Sequence, residues 1–369
     1  MKINVLQDHL RSGGTERHSI LLSREFARLG HAARLVTFRP GGRLAGTVGT
    51  EHRSLQPFDT GIDWLGPGLR RAVLGDGPDI VLCMGKTANC FAGWIQRGAS
   101  GGARAARVVA TLRAGGRLPW FYYASVRRAA HLVTNSREAA EELVTRHGLD
   151  RARISVIPNA LVFPESPGPR DEGLRARLGA GPRSLVLLSV GMFRPEKNHR
   201  ALVEMAAGLP AGLDWRLWFV GDGPERAACE RLAARSGLSG RVRFLGFQAD
   251  PGACYRSADI AVHASREEAL SNALIEAQAN GLPVVACQAL GVRECVVPGR
   301  TGFVVAQGDR AGFTEAVARL AADSPAERAA RAAEARAFAR AAFDPGRQVG
   351  AYIALFESLV RGAPPAPRP

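Results

Sequence analysis

Apolar residues fall in short runs separated by stretches with helical spacing, and the alternation occurs twice along the chain. In the first half, Lys2 to Gln7, Ala33 to Phe38, Ile80 to Met84, Val108 to Thr111 and Leu132 to Asn135 read as strands. In the second half the strand runs are Leu185 to Val190, Trp215 to Val220, Val242 to Leu245, Ile260 to His263, Pro283 to Cys287 and Val304 to Gly308. Between them lie amphipathic stripes. Ile20, Leu21, Phe26 and Leu29 share a helix face that stops at Gly30. A helix runs from Asn135, with Glu138 completing a capping box, to His147. Ala273, Leu274, Ala277 and Gln278 form a helix ending at Gly281. Tyr352, Ile353, Leu355, Phe356 and Leu359 mark a last amphipathic helix. Strand, glycine-rich turn and helix at the start of the chain make the βα entry of a doubly wound sheet. The segment from Pro40 to Gly77 is loop-rich and predicts no clear element.

Length and composition fit two such sheets. The chain has 369 residues, enough for two domains at ~100–200 residues each. Pro164, Pro167, Pro169 and Pro182 mark a linker. The expected division is residues 1–165 with a returning helix at 345–361, a linker at 166–182, a second domain at 183–344 and a polar tail at 362–369. Six scattered cysteines without a CxxC pair argue against a disulfide framework or a zinc site. A reducing cytoplasm is the simplest compartment for them. The opening MKINVLQDH reads as a strand rather than a signal peptide, and no apolar run reaches the ~18–20 residues of a membrane span.

Charge adds a surface. The formal net charge is +15, and only Lys2, Lys86 and Lys197 of the 49 basic residues are lysine. The first 165 residues carry a net +10 and the remainder +5. Between Asp79 and Glu138 there is no acidic residue, while Lys86, eight arginines and Trp120-Phe121-Tyr122-Tyr123 fall there. A helix with two of these aromatics in the core is the plain reading. Contact with an anionic membrane surface is the functional one. Gly85-Lys86-Thr87 looks like the end of a phosphate-binding loop, but the pattern requires glycine at 80, where Ile80 stands.

The chemistry concentrates in Ser265 to Val297. If the helix there begins near Ser271, Glu268 lies in the loop before its N-terminus and Glu276 one to two turns in. The backbone N–H groups of Asn272 and Ala273 then face the space between two carboxylates. A positive helix end suits a phosphate, and flanking carboxylates accept hydrogen bonds from hydroxyls. Phosphate with a polyol describes a nucleotide sugar.

These residues, followed by GLPVVA and Glu294 in the next loop, resemble the donor site of retaining glycosyltransferases of the GT-B type, specifically family four with its group 1 C-terminal domain. Ile154 to Ala160 resembles the family's last N-domain strand and its VIPNG turn, with Ala160 in place of glycine. The resemblance spans about residues 1 to 345. It implies two Rossmann-like domains facing a cleft, with the C-terminal helix crossing back to the first. It implies transfer of a hexose-type sugar from a UDP- or GDP-linked donor to a hydroxyl of a glycan or lipid-linked acceptor. Retention by front-face attack, no metal and no cofactor follow from the same likeness. Lys197 and Arg194, in the loop Gly191 to Asn198, would clamp the diphosphate together with Ser271, Asn272 and Ala273 at the helix start. Glu268 would contact the transferred sugar and Glu276 the ribose. Gly246 and Phe247 would line the base pocket. Gly13 and Gly14 would accommodate donor phosphates or acceptor.

The sequence also departs from the pattern. Met192 stands where an arginine is common, Ala269 follows Glu268 in place of glycine, and Leu290-Gly291 replaces a glycine pair. Arg113 occupies a strand end where many members place histidine, and would bind the acceptor or the donor phosphate. The resemblance points to surface-polysaccharide or glycolipid synthesis at the inner face of the cytoplasmic membrane, and nucleic acid is not expected as a partner. A sugar-nucleotide epimerase on the same fold and a non-catalytic nucleotide-sugar binder are the alternatives.

Overall fold

The computed structural model describes residues 1–11, 13–99, 105–113, 118–163 and 168–362. Ser12, Pro164, Pro167 and most of the expected tail lie outside the described residues. The chain divides into two compact units, Met1–Leu161 with Asp344–Pro369, and Val162–Phe343.

In the first unit the strands are β1 (Lys2–Gln7), β2 (Ala32–Thr37), β3 (Glu51–Ser54), β4 (Ile80–Cys83), β5 (Arg107–Leu112), β6 (His131–Thr134) and β7 (Ile154–Val156). They form one parallel sheet in the order β3-β2-β1-β4-β5-β6-β7. Its helices are α1 (Gly14–Arg28), α2 (Leu69–Leu74), α3 (Lys86–Ala99), α4 (Trp120–Val126) and α5 (Arg137–Thr145). The second unit holds β8 (Leu185–Val190), β9 (Trp215–Val220), β10 (Val242–Phe244), β11 (Ile260–His263), β12 (Val284–Cys287) and β13 (Gly302–Val305). These pair in parallel as β10-β9-β8-β11-β12-β13. Helices α6 (Glu172–Arg177), α7 (His199–Ala207), α8 (Arg226–Arg235), α9 (Gly252–Ser257), α10 (Asn272–Ala279), α11 (Arg310–Ala321) and α12 (Pro325–Phe343) accompany them. Both orders reverse direction once, between β1 and β4 and between β8 and β11. Ligands of doubly wound sheets bind outside the carboxyl ends of the strands at that reversal.

Helix α13 (Pro345–Arg361) follows α12 but belongs to the first unit. Asp344 caps it by accepting from the Arg347 N–H at 2.7 Å, and Pro345 sits in its first turn. Its apolar face, with Val349, Tyr352, Leu355 and Phe356, joins the core of β1, β4 and α1. Phe26 meets Phe356 and Tyr352 edge-on, with ring centroids 5.6 and 6.3 Å apart. Edge-to-face pairs of this kind add ~0.5–1.5 kcal/mol beyond area burial.

Three sequence expectations need correction. The cap of α5 is Ser136, whose hydroxyl accepts from the Ala139 N–H, and not Asn135. Asn135 instead donates to Asn159. The last strand is Gly302–Val305, two residues earlier than expected. Gly302 lies so close to the Val284 carbonyl that any Cβ would strike it, so the ladder starts on a residue that hydrophobicity does not mark. The stretch read as loop holds β3 and α2.

At the first unit's sheet reversal, the start of α3 is already filled. Asp8, just past β1, accepts from the Thr87 and Ala88 N–H groups at 3.0 and 2.8 Å. Burial raises the Asp8 pKa even though those two amides pull the other way. A Cβ on Gly85 would collide with the Asp8 carboxylate, so glycine is required there. Gly85-Lys86-Thr87 is therefore the seat of an internal helix cap and not of a phosphate. Gly85→Ala should displace that cap and cost about 1–2 kcal/mol of stability, the scale of a lost N-cap. Denaturant titration checks it, and an unchanged midpoint would refute it.

Candidate active site

The second unit's sheet reversal lies between β8 and β11, and the loops that leave these two strands carry the site. The first loop, Gly191 to Asn198, is pinned by its neighbour Gly221-Asp222-Gly223. Gly191 and Phe193 donate to the Val220 and Asp222 carbonyls at 2.9 and 3.0 Å, and Glu225 donates to the Phe193 carbonyl at 3.0 Å. Gly221 and Gly223 have φ of +139° and +152°. A Cβ on the first would run into the Gly191 carbonyl and one on the second into the Phe193 carbonyl. Both glycines follow from this close backbone approach and from a region that L side chains rarely enter. Phe193 is buried and stacks on His199, with centroids 4.2 Å apart. Burial, with His263 and Lys197 nearby, pushes His199 down to about 3, so its ring is neutral. The loop's end turns through Asn198 at φ +52° into α7.

The second loop, Ala264 to Ser271, is tied to the first by Arg266, whose N–H donates to the Glu196 carbonyl at 2.9 Å. Lys197 and Glu268 meet between them as a hydrogen-bonded ion pair. His263, the last residue of β11, lies 3.4 Å from the same Glu268 oxygen and 3.4 Å from the Ser271 hydroxyl. Burial raises the Glu268 pKa, but Lys197 and His263 outweigh it and hold the carboxyl down to about 2. The sequence assigned Lys197 and Glu268 to different parts of a ligand. The structure joins them, because two opposite charges set at one sheet reversal satisfy each other more cheaply than either stands alone out of water. His263, which the sequence marks only as the end of a strand run, is part of this cluster. Arg194 stands apart, half exposed, with its nearest carboxylate, Glu196, at 4.0 Å.

Helix α10 begins at Asn272 with Ser271 at its N-cap, as the spacing predicted. Ser271 makes no side-chain cap bond; its hydroxyl turns to His263 instead. The start of α10, with Asn272 and Ala273, thus follows directly on the Glu268 loop. Glu276 lies in the second turn and is half-buried. Tyr255, buried in α9, donates its hydroxyl to Glu276 at 3.1 Å. Sequence reasoning missed Tyr255, which carries no motif and stands 21 residues away. Glu294 lies half-buried in a 3-10 turn, Arg293–Cys295. Gly246 has φ of +70° and its carbonyl accepts from the Gly221 N–H at 2.8 Å, which places Phe247 beside the glycine turn.

Three expected residues belong to the first unit. Gly14 opens α1 and Gly13 is its N-cap. The carboxylate of buried Glu16 folds over Gly13 so closely that a Cβ there would overlap it. The Arg113 guanidinium donates to Asn159 and to the Tyr352 hydroxyl, joining the end of β5 to α13. Among the described residues no group of three or more metal-ligating side chains comes together. No described helix is long and apolar enough to cross a membrane.

Two doubly wound parallel units, the first completed by the C-terminal helix, define the GT-B class of fold. Solved structures agree with it. Anabaena HepE in complex with UDP-glucose matches 97% of this chain and 100% of its own, with a TM-score of 0.80 at 21% identity. Sucrose-phosphate synthase of Thermosynechococcus elongatus matches 98% and 100%, with a TM-score of 0.78 at 20% identity. Residues 12–161 match the family described as Glycosyltransferase Family 4, and residues 184–323 that described as Glycosyl transferases group 1. The chain belongs to these family 4, group 1 glycosyltransferases. Among curated relatives, the lipopolysaccharide core biosynthesis glycosyltransferase LpsE of Rhizobium meliloti is 37% identical over 150 residues, 41% of this chain and 43% of that protein. The D-inositol 3-phosphate glycosyltransferase of Nocardia farcinica is 35% identical over 210 residues, 54% and 46% of the two chains. The match thus spans about half the length of the curated relatives.

Proposed function

We propose that this protein transfers a hexose-type sugar from a nucleotide-diphosphate donor to a hydroxyl of a glycan or lipid-linked acceptor, with retention at the anomeric carbon and without a metal ion. The observation that carries the reading is the convergence of Lys197, Glu268, His263 and the α10 start at one sheet reversal. Lys197 and Arg194, with the α10 amides, supply positive charge where a leaving diphosphate gathers negative charge. Donor binding then exchanges the partner of Lys197 from Glu268 to phosphate, which releases the Glu268 carboxylate to accept from sugar hydroxyls. Glu276, held by Tyr255, accepts from the ribose. The acceptor oxygen attacks C1 as the C1–O bond to the diphosphate breaks, and the hydroxyl proton passes to the departing phosphate oxygen. A UDP-linked donor is favoured by the UDP and UDP-glucose complexes of the HepE neighbour. A surface-polysaccharide or lipopolysaccharide role is favoured by the likeness to LpsE.

Thermal shift against UDP, GDP, ADP and their sugars, followed by donor hydrolysis, tests the proposal. Stabilisation by one diphosphate and slow donor hydrolysis are expected. Donor binding without any turnover, even with an acceptor panel, would instead identify a binder, and interconversion of the free nucleotide sugar an epimerase. Tyr255→Phe removes the hydroxyl that orients Glu276. It should raise the donor KM about 3- to 10-fold, the value of one hydrogen bond of ~0.5–1.5 kcal/mol, and leave kcat within about twofold. A KM equal to that of the unaltered protein would refute a positioning role for Tyr255.

A further inference from the structure

Two basic side chains share one oxygen of Glu268, and they differ in freedom. Lys197 reaches it on a flexible four-carbon stem from the loop after β8. His263 is fixed. It ends β11 in register with Ala286 of β12, is buried, and holds Nε2 3.4 Å from the same oxygen. Ser271 begins α10 but gives that helix no side-chain cap; its hydroxyl lies 3.4 Å from the same ring nitrogen. The ring is therefore held in place from two sides.

The charges around His263 are few. Lys197 faces it across the Glu268 oxygen, and His199 faces it from the start of α7. Burial, with His263 and Lys197 nearby, keeps His199 neutral. Ser271 at the α10 start and Ala286 on β12 add no charge. Glu276, further along α10, is turned to Tyr255, and Arg266 and Glu267 of the Glu268 loop are exposed. One ionised acid is thus matched by one ammonium. The Glu268 side chain is only 12% exposed. Once Lys197 moves to a donor phosphate, a carboxylate this far out of water keeps only the imidazole as an ion-pair partner among the described residues. Such a carboxylate needs a positive partner. Imidazole is the side chain that gains charge most readily near neutral pH.

We infer that His263 takes up a proton when the donor binds and, as imidazolium, replaces Lys197 as the partner of Glu268. The proton comes from solvent. Nε2 faces an ionised carboxylate and already carries a hydrogen, so the incoming proton goes to Nδ1. The charged ring then keeps Glu268 ionised and in place to accept from sugar hydroxyls. His263 is in this sense a positioning residue that acts through Glu268. The inference rests on the donor reading given above, and the test separates the two. Titration calorimetry of the full chain with UDP-glucose, GDP-glucose and ADP-glucose is run near neutral pH in HEPES and in Tris. The difference in heat between the buffers counts protons taken up, and none of these nucleotide sugars titrates near neutrality. About half a proton or more per bound donor is expected. The bound state then holds the extra proton, so Kd should weaken about threefold per pH unit above neutrality. His263→Gln keeps an amide near the place of Nε2 and cannot be charged. It should abolish the uptake and flatten that pH dependence. Binding by the unaltered protein without proton uptake would overturn the inference and leave the donor reading standing. Failure of all three nucleotide sugars to bind would end both. Uptake that persists in His263→Gln would also overturn it, because the proton would then sit on Glu268 itself or on another group.

Discussion

Replacing Lys197 by alanine is expected to lower sugar transfer by about a hundredfold or more, the loss seen when a group that stabilises developing charge is removed. Lys197 is one of three lysines in a chain that otherwise uses arginine, and it stands at the sheet reversal with its ammonium on Glu268. The substitution also leaves Glu268 largely out of water with His263 as its remaining ion-pair partner among the described residues. That should cost on the order of 2 kcal/mol, below the ~3–5 of a fully buried broken pair because both side chains keep some exposure. The pH dependence separates the two effects. The Glu268 pKa is depressed in the folded protein to about 2 from an ordinary 4.5. The pair therefore contributes its full stability above about 4.5 and loses it as pH falls towards 2. The difference in melting temperature between unaltered protein and Lys197→Ala should be widest near neutrality and close on acidification. Lys197→Arg should recover most of the stability and part of the rate. Transfer by Lys197→Ala within threefold of the unaltered rate would end the assignment of Lys197 to the leaving group.

How much of this was legible in the chain depended on distance along it. Buried strands such as β8, β9, β11 and β12 announce themselves, because both faces of a parallel sheet are covered and the runs are apolar at all but one position or fewer. The start of α10 at Ser271 was legible for a local reason, the break between an acidic loop and an apolar helical stripe. Strand β3 was not: Glu51, His52, Arg53 and Ser54 are all polar, half-buried or exposed, and sit at the sheet edge. Nothing in their pattern separates them from loop. The same holds for the site's partners. Glu268 and Glu276 could be found from their spacing, but the bond of Lys197 to Glu268 joins residues 71 apart, and that of Asp8 to Ala88 joins residues 80 apart. These bonds depend on which strands neighbour which, and strand order is written in no single stretch. The exposed loop from Phe58 to Leu65 was illegible for the opposite reason. Its apolar residues imitate a buried segment, yet Phe58 and Trp64 face solvent while Gln56 and Arg39 bond inward to the loop.

The largest loss of stability is expected far from the site, at Arg175. This arginine is fully buried in α6 and spends its guanidinium on four partners. One amino group donates to the Ser257 carbonyl at 2.7 Å and to Asp259 at 3.1 Å. The other donates to the Ser184 and Gly181 carbonyls at 2.6 and 3.3 Å. Ser184 immediately precedes β8 and Asp259 immediately precedes β11. Arg175 thus buckles the amino ends of the two strands whose carboxyl ends carry Lys197 and Glu268. Arg175→Met would take their guanidinium donor from the Ser184 and Ser257 carbonyls and leave Asp259 with Arg170 and the Val186 N–H, at a cost of about 3 kcal/mol or more. At ~2–4 °C per kcal/mol for a unit of this size, the melting temperature should fall by about 10 °C. Arg175→Lys should recover little, since an ammonium cannot span four acceptors in a plane. Adding Asp259→Asn to Arg175→Met should restore part of the loss. The amide removes a charge that has lost its buried partner and keeps Arg170 alone as a cation, and it still accepts from the Val186 N–H, which Asp259 now holds at 2.7 Å. If Arg175→Met melts within about 2 °C of the unaltered protein, the buckle holds nothing, and the site's two strands must be aligned by the apolar core alone.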